Sequence, residues 1–341
     1  MALPIFTNFV PDGRIPRARA ILISVPRPNK YSGFLIAICL LANVSFAARP
    51  VIFDTDMGND IDDALALAML HALSDRGECQ LIGVTLTNAN PAAVPYIRMI
   101  NRFYGRPDLP VGAAIKSLKD GAQDGYMAAA LRAMPPASPQ PAEAAPALLR
   151  RLLASSPDKV VIVQTGFSTN LAALLDSPGG AALAKEKVEL VVAMAGNFSD
   201  GAPEYNVHTD VASAQAVFER WPTPIVFSGF EIGRDLLYPA GSIEHDFTYA
   251  QPHPIAESYR AYHKMPYDRP TWDLTAALQA VRPAHGYFGL SEAGGVQVDS
   301  NGVTHFTAGT GDRRYLRLAP TNRAEILEVL ALLASEPPVR R

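Results

Sequence analysis

From residue 48 onward, short β-branched and aliphatic runs alternate with longer stretches whose apolar positions recur every three or four residues. That alternation predicts a parallel sheet whose strands are joined by crossover helices. VIFDTD reads as a strand, DDALALAMLHAL as a helix, QLIGVTLTNA as a strand and PAAVPYIRMINRFYG as a helix opened by Pro91. The helix APALLRRLLASS, the strand KVVIVQTG, the helix TNLAALLDS and the strand VELVVAMAG continue the rhythm, and DVASAQAVFERW and PIVFSG complete it. The five strands are near-continuous apolar runs, the mark of strands covered on both faces. Residues 237–270 break the pattern with a polar, aromatic, His-containing stretch, expected to form an irregular lid or wall over a site. After the helix DLTAALQAV, GGVQVDSNGVTHFT is expected to form a hairpin turning at Asn301-Gly302. The strand YLRL and a last amphipathic helix, NRAEILEVLALLAS, close the chain. The expected fold is α/β: an open, mostly parallel sheet flanked by helices, with a C-terminal β-hairpin and helix. No repeat or low-complexity linker divides residues 48–341, which read as one catalytic domain.

Residues 1–47 are of another kind. Pro and Arg dominate RIPRARAILISVPRPNK, GFLIAICLLANV is apolar, and the small residues Ser45 and Ala47 follow. A basic flank, an apolar run and small residues for a peptidase make the order of a secretory signal, with cleavage expected after Ala47. The run falls short of the ~20 residues that a spanning helix needs. The expectation is therefore an exported protein, periplasmic or secreted, with no stable membrane insertion after processing. Cys39 would leave with the signal, and Cys79 alone supplies neither a zinc motif nor a disulfide framework. A net charge of -3 offers no basic field to a nucleic acid polymer, so a small-molecule substrate is expected.

The chemistry concentrates in VIFDTDMGNDIDDALALAML, residues 51–70, where Asp54, Asp56, Asp60, Asp62 and Asp63 crowd between a buried strand and an apolar helix. Like charges at ~4 Å repel by several kcal/mol at an effective dielectric near 20, so such a cluster needs a cation. No His or Cys stands at ligand spacing, which favours calcium or magnesium over zinc. One of Asp54 and Asp60 is expected to cap the helix starting near Ile61. Further polar clusters end the other strands: Asn88 and Asn90, Thr165 and Gly166, Gly196 and Asn197, with Glu204, Tyr205 and Asn206 in the next loop. Open α/β sheets bind ligands at these strand ends, so the clusters are expected to converge.

In order along residues 49 to about 283, DTDMG, the following DDA, the Asn-ended strand, TGFSTNLA, PEYN and the Asp of TWDLTAAL together resemble the inosine-uridine-preferring nucleoside hydrolases. The resemblance implies a calcium ion that binds the ribose 2′- and 3′-hydroxyls and activates a water for attack on the anomeric carbon. Matching ligands are Asp56, Asp63, the Thr165 carbonyl and Asp273, with Asp56 also the general base. Asp62 and Asn90 would hold the 2′-hydroxyl, Asn206 the 3′-hydroxyl and Glu204 the 5′-hydroxyl, while Met194 and Asn197 match the remaining sugar contacts. The implied activity is hydrolysis of ribonucleosides to free base and ribose, in a homodimer or homotetramer. Carboxylates around the sugar would stabilise its oxocarbenium-like transition state.

Two departures stand out. The family signature runs D-T-D-P-G-x-D-D, whereas Met57 replaces the proline here and two extra residues precede Asp62-Asp63, which makes Asp60 a rival ligand. Trp272 stands before Asp273 where well-known members place a histidine that protonates the base, and indole has no acidic proton to give. As a substrate-binding residue Trp272 would stack on the base. Leaving-group activation then falls to that stacking or to Tyr259, Tyr262, His263 or Tyr267, with His263 the histidine expected to act. His71, His285 and His305 are expected at surface or packed positions. Two other functions compete: a nucleoside-binding protein without turnover, and a haloacid-dehalogenase-type phosphatase. The phosphatase motif wants Thr or Val two residues after its second Asp, where Gly58 stands.

Overall fold

The computed structural model describes residues 48–118, 125–136 and 141–339. The expected leader, with Cys39 and the cleavage position after Ala47, lies outside the described residues. In chain order the first part runs β1 (Arg49–Thr55), α1 (Asp62–Asp75), β2 (Cys79–Leu86), α2 (Ala93–Phe103), β3 (Val111–Ala113), α3 (Gly125–Ala133) and β4 (Glu143–Ala144). Next come α4 (Ala145–Ser155), β5 (Val160–Gln164), α5 (Thr169–Asp176), α6 (Gly180–Lys187), β6 (Val188–Met194), α7 (Tyr205–Thr209), α8 (Val211–Arg220) and β7 (Ile225–Ser228). The rest comprises α9 (Phe230–Arg234), β8 (Leu237–Tyr238), α10 (Ala240–His245), α11 (Pro254–Tyr262), β9 (Arg269–Pro270) and α12 (Trp272–Val281). The strands β10 (Gly289–Leu290), β11 (Gly294–Val298), β12 (Thr304–Ala308) and β13 (Arg313–Arg317) precede the last helix, α13 (Arg323–Ala334).

Among the described residues the central sheet has eleven strands in the order β12-β11-β13-β7-β6-β5-β1-β2-β3-β4, with β10 against β13. Every pairing from β4 across to β13 is parallel, and β11 and β12 add an antiparallel edge. The chain lays β2, β3 and β4 to one side of β1 and then returns to place β5 on the other. Strand order therefore reverses between β1 and β5, and a crevice opens at their carboxyl ends. The two ends are tied: the Thr165 and Gly166 N–H groups both donate to the Asp54 carbonyl, at 2.7 and 3.2 Å. On the other side the Thr87 N–H donates to the Thr55 carbonyl at 2.9 Å.

Helix α1 is buried on every face from Asp62 to Leu73. Its sequence is apolar all round, as a helix inside a core must be. Leu65, Leu67, Leu70 and Leu73 are fully enclosed, each stabilising the fold by about 1.5–3 kcal/mol. α12 and α13 pack along α1, so the first turns of α1 and α12 meet above the end of β1.

The expected irregular lid over residues 237–270 is instead mostly regular, holding β8, α10, α11 and β9. Pro254 opens α11 and His253 caps it, its Nδ1 accepting the Ile255 N–H at 3.2 Å. The apolar positions Ile243, Phe247, Ile255 and Tyr259 all face the core, but polar and aromatic residues between them hide the helical period. The hairpin expected at Asn301-Gly302 is present as β11 and β12. Gly302 takes the left-handed φ of 81° that this turn needs. No helix among the described residues is long and apolar enough to cross a membrane.

Candidate active site

A cavity of about 200 Å³ opens at the switch point. It is lined by Asp56, Asn59, Asp60, Asp62, Asp63, Thr165, Met194, Glu204, Tyr205, Asn206, Phe230, Arg269, Trp272 and Asp273. Six of these side chains are acidic and Arg269 is the single basic one among them. Asp56 leaves the end of β1, Thr165 the end of β5 and Met194 ends β6. Asp62 and Asp63 open α1, and Asp273 sits in the first turn of α12. Both helices thus aim the positive ends of their dipoles at the carboxylates.

Carboxylate oxygens of Asp62, Asp63 and Asp273 lie within 4.8 Å of one another. Asp63 accepts a short hydrogen bond from the Thr55 hydroxyl, and Asp62 Oδ2 accepts the Asp273 N–H at 3.1 Å. Asp56 stands in the same cavity but outside that close trio. Burial, then repulsion from Asp63, holds the Asp56 carboxyl well above the usual carboxylate range. Burial is likewise the largest cause of the raised pKa of Asp62, Asp63 and Asp273, with a neighbouring aspartate next in each case. A buried charge without a partner is costly, so these groups demand either protons or a cation. Asp56 Oδ2 and Thr165 Oγ1 are buried and accept or donate no hydrogen bond. An all-oxygen donor set with orphaned buried oxygens fits a hard divalent ion.

Of the residues expected at the site, Asp56, Asp62, Asp63, Thr165, Met194, Glu204, Asn206, Trp272 and Asp273 line the cavity. Glu204 caps α7, its carboxylate accepting the N–H groups of Gly196, Asn206 and Val207. Burial still pushes its pKa up to about 7. The Asn206 Nδ2 donates to the carbonyls of Thr165 and Met194, at 2.8 and 3.0 Å, which aims the amide into the crevice. Trp272 lies nearly parallel to Phe230, ring centroids 5.5 Å apart, and its indole N–H donates to the Phe230 carbonyl. A Cβ on Gly233 would lie 2.4 Å from the Trp272 Cα, so a glycine there admits the tryptophan.

Asn90, Asn197 and His263 do not line the cavity. Asn90 closes its own turn, Oδ1 accepting the Ala92 N–H at 2.9 Å, beside Gly58. Asn197 accepts from Ser199 and donates to Asp200. His263 is exposed at the end of α11, with its ring edge-on to Tyr267 at 5.2 Å. The hydroxyls of Tyr259 and Tyr267 each bond the other's backbone carbonyl. Asp54 does not cap α1, since Thr85 and Asn170 donate to it. Asp60 accepts the Ile61 N–H at the helix start, and its two oxygens are clamped by Arg269. Asn59, Arg269 and Phe230 are the cavity residues that sequence reasoning missed; Asn59 sits unremarked among the aspartates of the signature, and Arg269 and Phe230 lie in no motif or periodic pattern.

An open parallel sheet with a crevice rich in buried carboxylates at its switch point defines an α/β protein with the donor groups of a metal site at its strand ends. The chain belongs to the inosine-uridine preferring nucleoside hydrolase family, whose model matches residues 51–328. It is 32% identical over 201 residues to the pyrimidine-specific ribonucleoside hydrolase RihA of Citrobacter koseri, covering 54% of this chain and 61% of that protein. The corresponding protein of Salmonella enteritidis is 31% identical over 213 residues, covering 58% and 65%. The match thus spans less than two thirds of these relatives' length. Among solved structures, the inosine-uridine preferring nucleoside hydrolase of Bacillus anthracis superposes with a TM-score of 0.68 at 18% identity, covering 84% of this chain and 99% of that one. A purine-preferring ribonucleoside hydrolase from Gardnerella vaginalis gives 0.67 at 19% identity, covering 84% and 99%. These two likenesses show the shared fold.

Proposed function

We propose that this protein hydrolyses the N-glycosidic bond of ribonucleosides to free base and ribose, with Ca²⁺ as its metal. Asp56, Asp63, Asp273 and the Thr165 carbonyl would hold the ion, with the Asp62 carboxylate close enough to join or replace one of them. When bound, such an ion supplies Lewis acidity, lowering the pKa of water and orienting a vicinal diol. Asp56 is the general base: it lines the cavity, and its Oδ2 has no other partner. Once a cation offsets the repulsion from Asp63, this carboxylate is ionised and ready to take a proton from water. Asn206 and Glu204 meet the sugar hydroxyls opposite Asp62, and the carboxylates around them favour the positive charge that develops on the ribosyl ring. Trp272 and Phe230 form an aromatic wall on which the base stacks. Residues 1–47 are read as a secretory leader, placing the activity outside the cytoplasm.

The observation that carries this reading is the buried, uncompensated carboxylate cluster at the switch point of a nucleoside hydrolase fold. Purified protein incubated with a panel of purine and pyrimidine ribonucleosides should release reducing sugar, and a chelator should stop the release until calcium is restored. Asp56→Asn should lower kcat by about 10²–10⁴-fold while nucleoside binding persists. A protein that binds nucleosides yet releases no base from any of them is a binding protein instead.

A further inference from the structure

Among the described residues the cavity contains a single basic side chain, Arg269, whose chemistry the hydrolase reading leaves unused. Arg269 is half-buried, and both oxygens of Asp60 clamp its Nε and Nη2. Its guanidinium lies over the rings of Tyr262 and Trp272, 5.1 and 5.5 Å from their centroids. No described residue takes a hydrogen bond from Nη1. Two other donors near the aromatic wall are engaged: the Trp272 indole N–H by the Phe230 carbonyl, and the Tyr205 hydroxyl by Asn59 Oδ1 at 3.3 Å. His263, the histidine expected to act on the base, is not in the cavity.

Resting on the hydrolase reading, we propose that Arg269 binds the departing base and stabilises its negative charge, with Asp60 as the positioning residue that holds the guanidinium in place. The C1′–N bond breaks with its electron pair going to the base. A bond forms from water oxygen to C1′, and the water proton goes to Asp56. The base leaves as an anion hydrogen-bonded to Arg269 and takes its proton from solvent afterwards. A guanidinium cannot act as a general acid near neutral pH, but its fixed charge and planar donors suit a delocalised anion stacked on Trp272. The clamp explains the two extra residues in the signature, because Asp60 belongs to that insertion and reaches Arg269 across 209 positions.

The test compares uridine and inosine with 4-nitrophenyl riboside, whose leaving phenolate is stabilised by its own nitro group. Arg269→Gln should lower kcat on the nucleosides by about 10²–10³-fold, the usual effect of removing a charge-stabilising donor, and change 4-nitrophenyl riboside turnover by only a few fold. Arg269→Lys should fall between, and Asp60→Asn should show the same substrate-dependent loss in weaker form. Retained turnover of the nitrophenyl substrate also shows that each variant is folded. Equal losses on both substrates, or none on the nucleosides, would overturn the role of Arg269 alone. A wild type that cleaves neither overturns the hydrolase reading and this proposal with it.

Discussion

His71 is sealed between the Tyr104 ring, stacked at 5.0 Å, and the Asn101 amide, far from the chemistry of the crevice. Arg106 has only donors, so its contact with His71 Nδ1 requires that nitrogen bare, and Nε2 then donates to Asn101 Oδ1 at 2.9 Å. Burial, reinforced by Arg106, lowers the His71 pKa from 6.5 to about 3. The folded-state value is depressed, so the unfolded chain takes up a proton that the native protein refuses. The stability contributed by neutral His71 is complete above pH 6.5 and is lost as pH falls towards 3. Each pH unit in that window costs about 1.4 kcal/mol. His71→Gln keeps a hydrogen-bonding group without the titration. Urea unfolding between about pH 4 and 5.5 should therefore show a pH slope shallower by about 1.4 kcal/mol per unit in the variant. Identical slopes would mean that His71 is not neutral in the fold.

At the scale of elements, the crevice depends on how closely β1, β2 and β5 end together. A Cβ on Gly166 would lie 2.6 Å from the Asp56 nitrogen and 2.8 Å from the Thr55 carbonyl carbon. Those are backbone atoms of a strand end already tied to β5, and they cannot yield independently. Gly166→Ala should destabilise by about 1–3 kcal/mol through overpacking, and it should cost activity as well, since the atom displaced carries Asp56, the proposed general base. Gly295→Ala, on the antiparallel edge where a Cβ meets nothing within 4 Å, is the matched control and should leave both unchanged. Wild-type activity and stability in Gly166→Ala would show that the strand ends are not rigidly joined.

For the whole molecule, the crevice is a point of stored repulsion: several buried carboxylates are pushed upward in pKa by desolvation and by each other. An ion that binds the native crevice alone adds stability by mass action, about 2.7 kcal/mol at a concentration of 100 Kd. Thermal unfolding should therefore move down by several degrees in a chelator and return as calcium is titrated back, and Asp273→Asn should abolish the shift. A melting temperature indifferent to calcium would leave the cluster to protons rather than to a metal.

The order of residues along the chain was enough to establish the alternating sheet and helices, the polar strand ends at Asp56 and Thr165, and the run of aspartates from Asp54 to Asp63, while Met194 and Asp273 came from the family resemblance. The first three follow from chemistry within a few positions: apolar runs make buried strands, and a polar residue at a strand end has one place to go. Tertiary structure alone decided which side chains enter. Asn90 and Asn197 close their own turns because a backbone N–H two or three residues away competes with any ligand for the amide. His263 points away because α11 ends there. Arg269 enters because Asp60, distant in sequence, holds it beside the aromatic rings. No pattern in one chain encodes that meeting, since it depends on where α12 and α1 bring their first turns together.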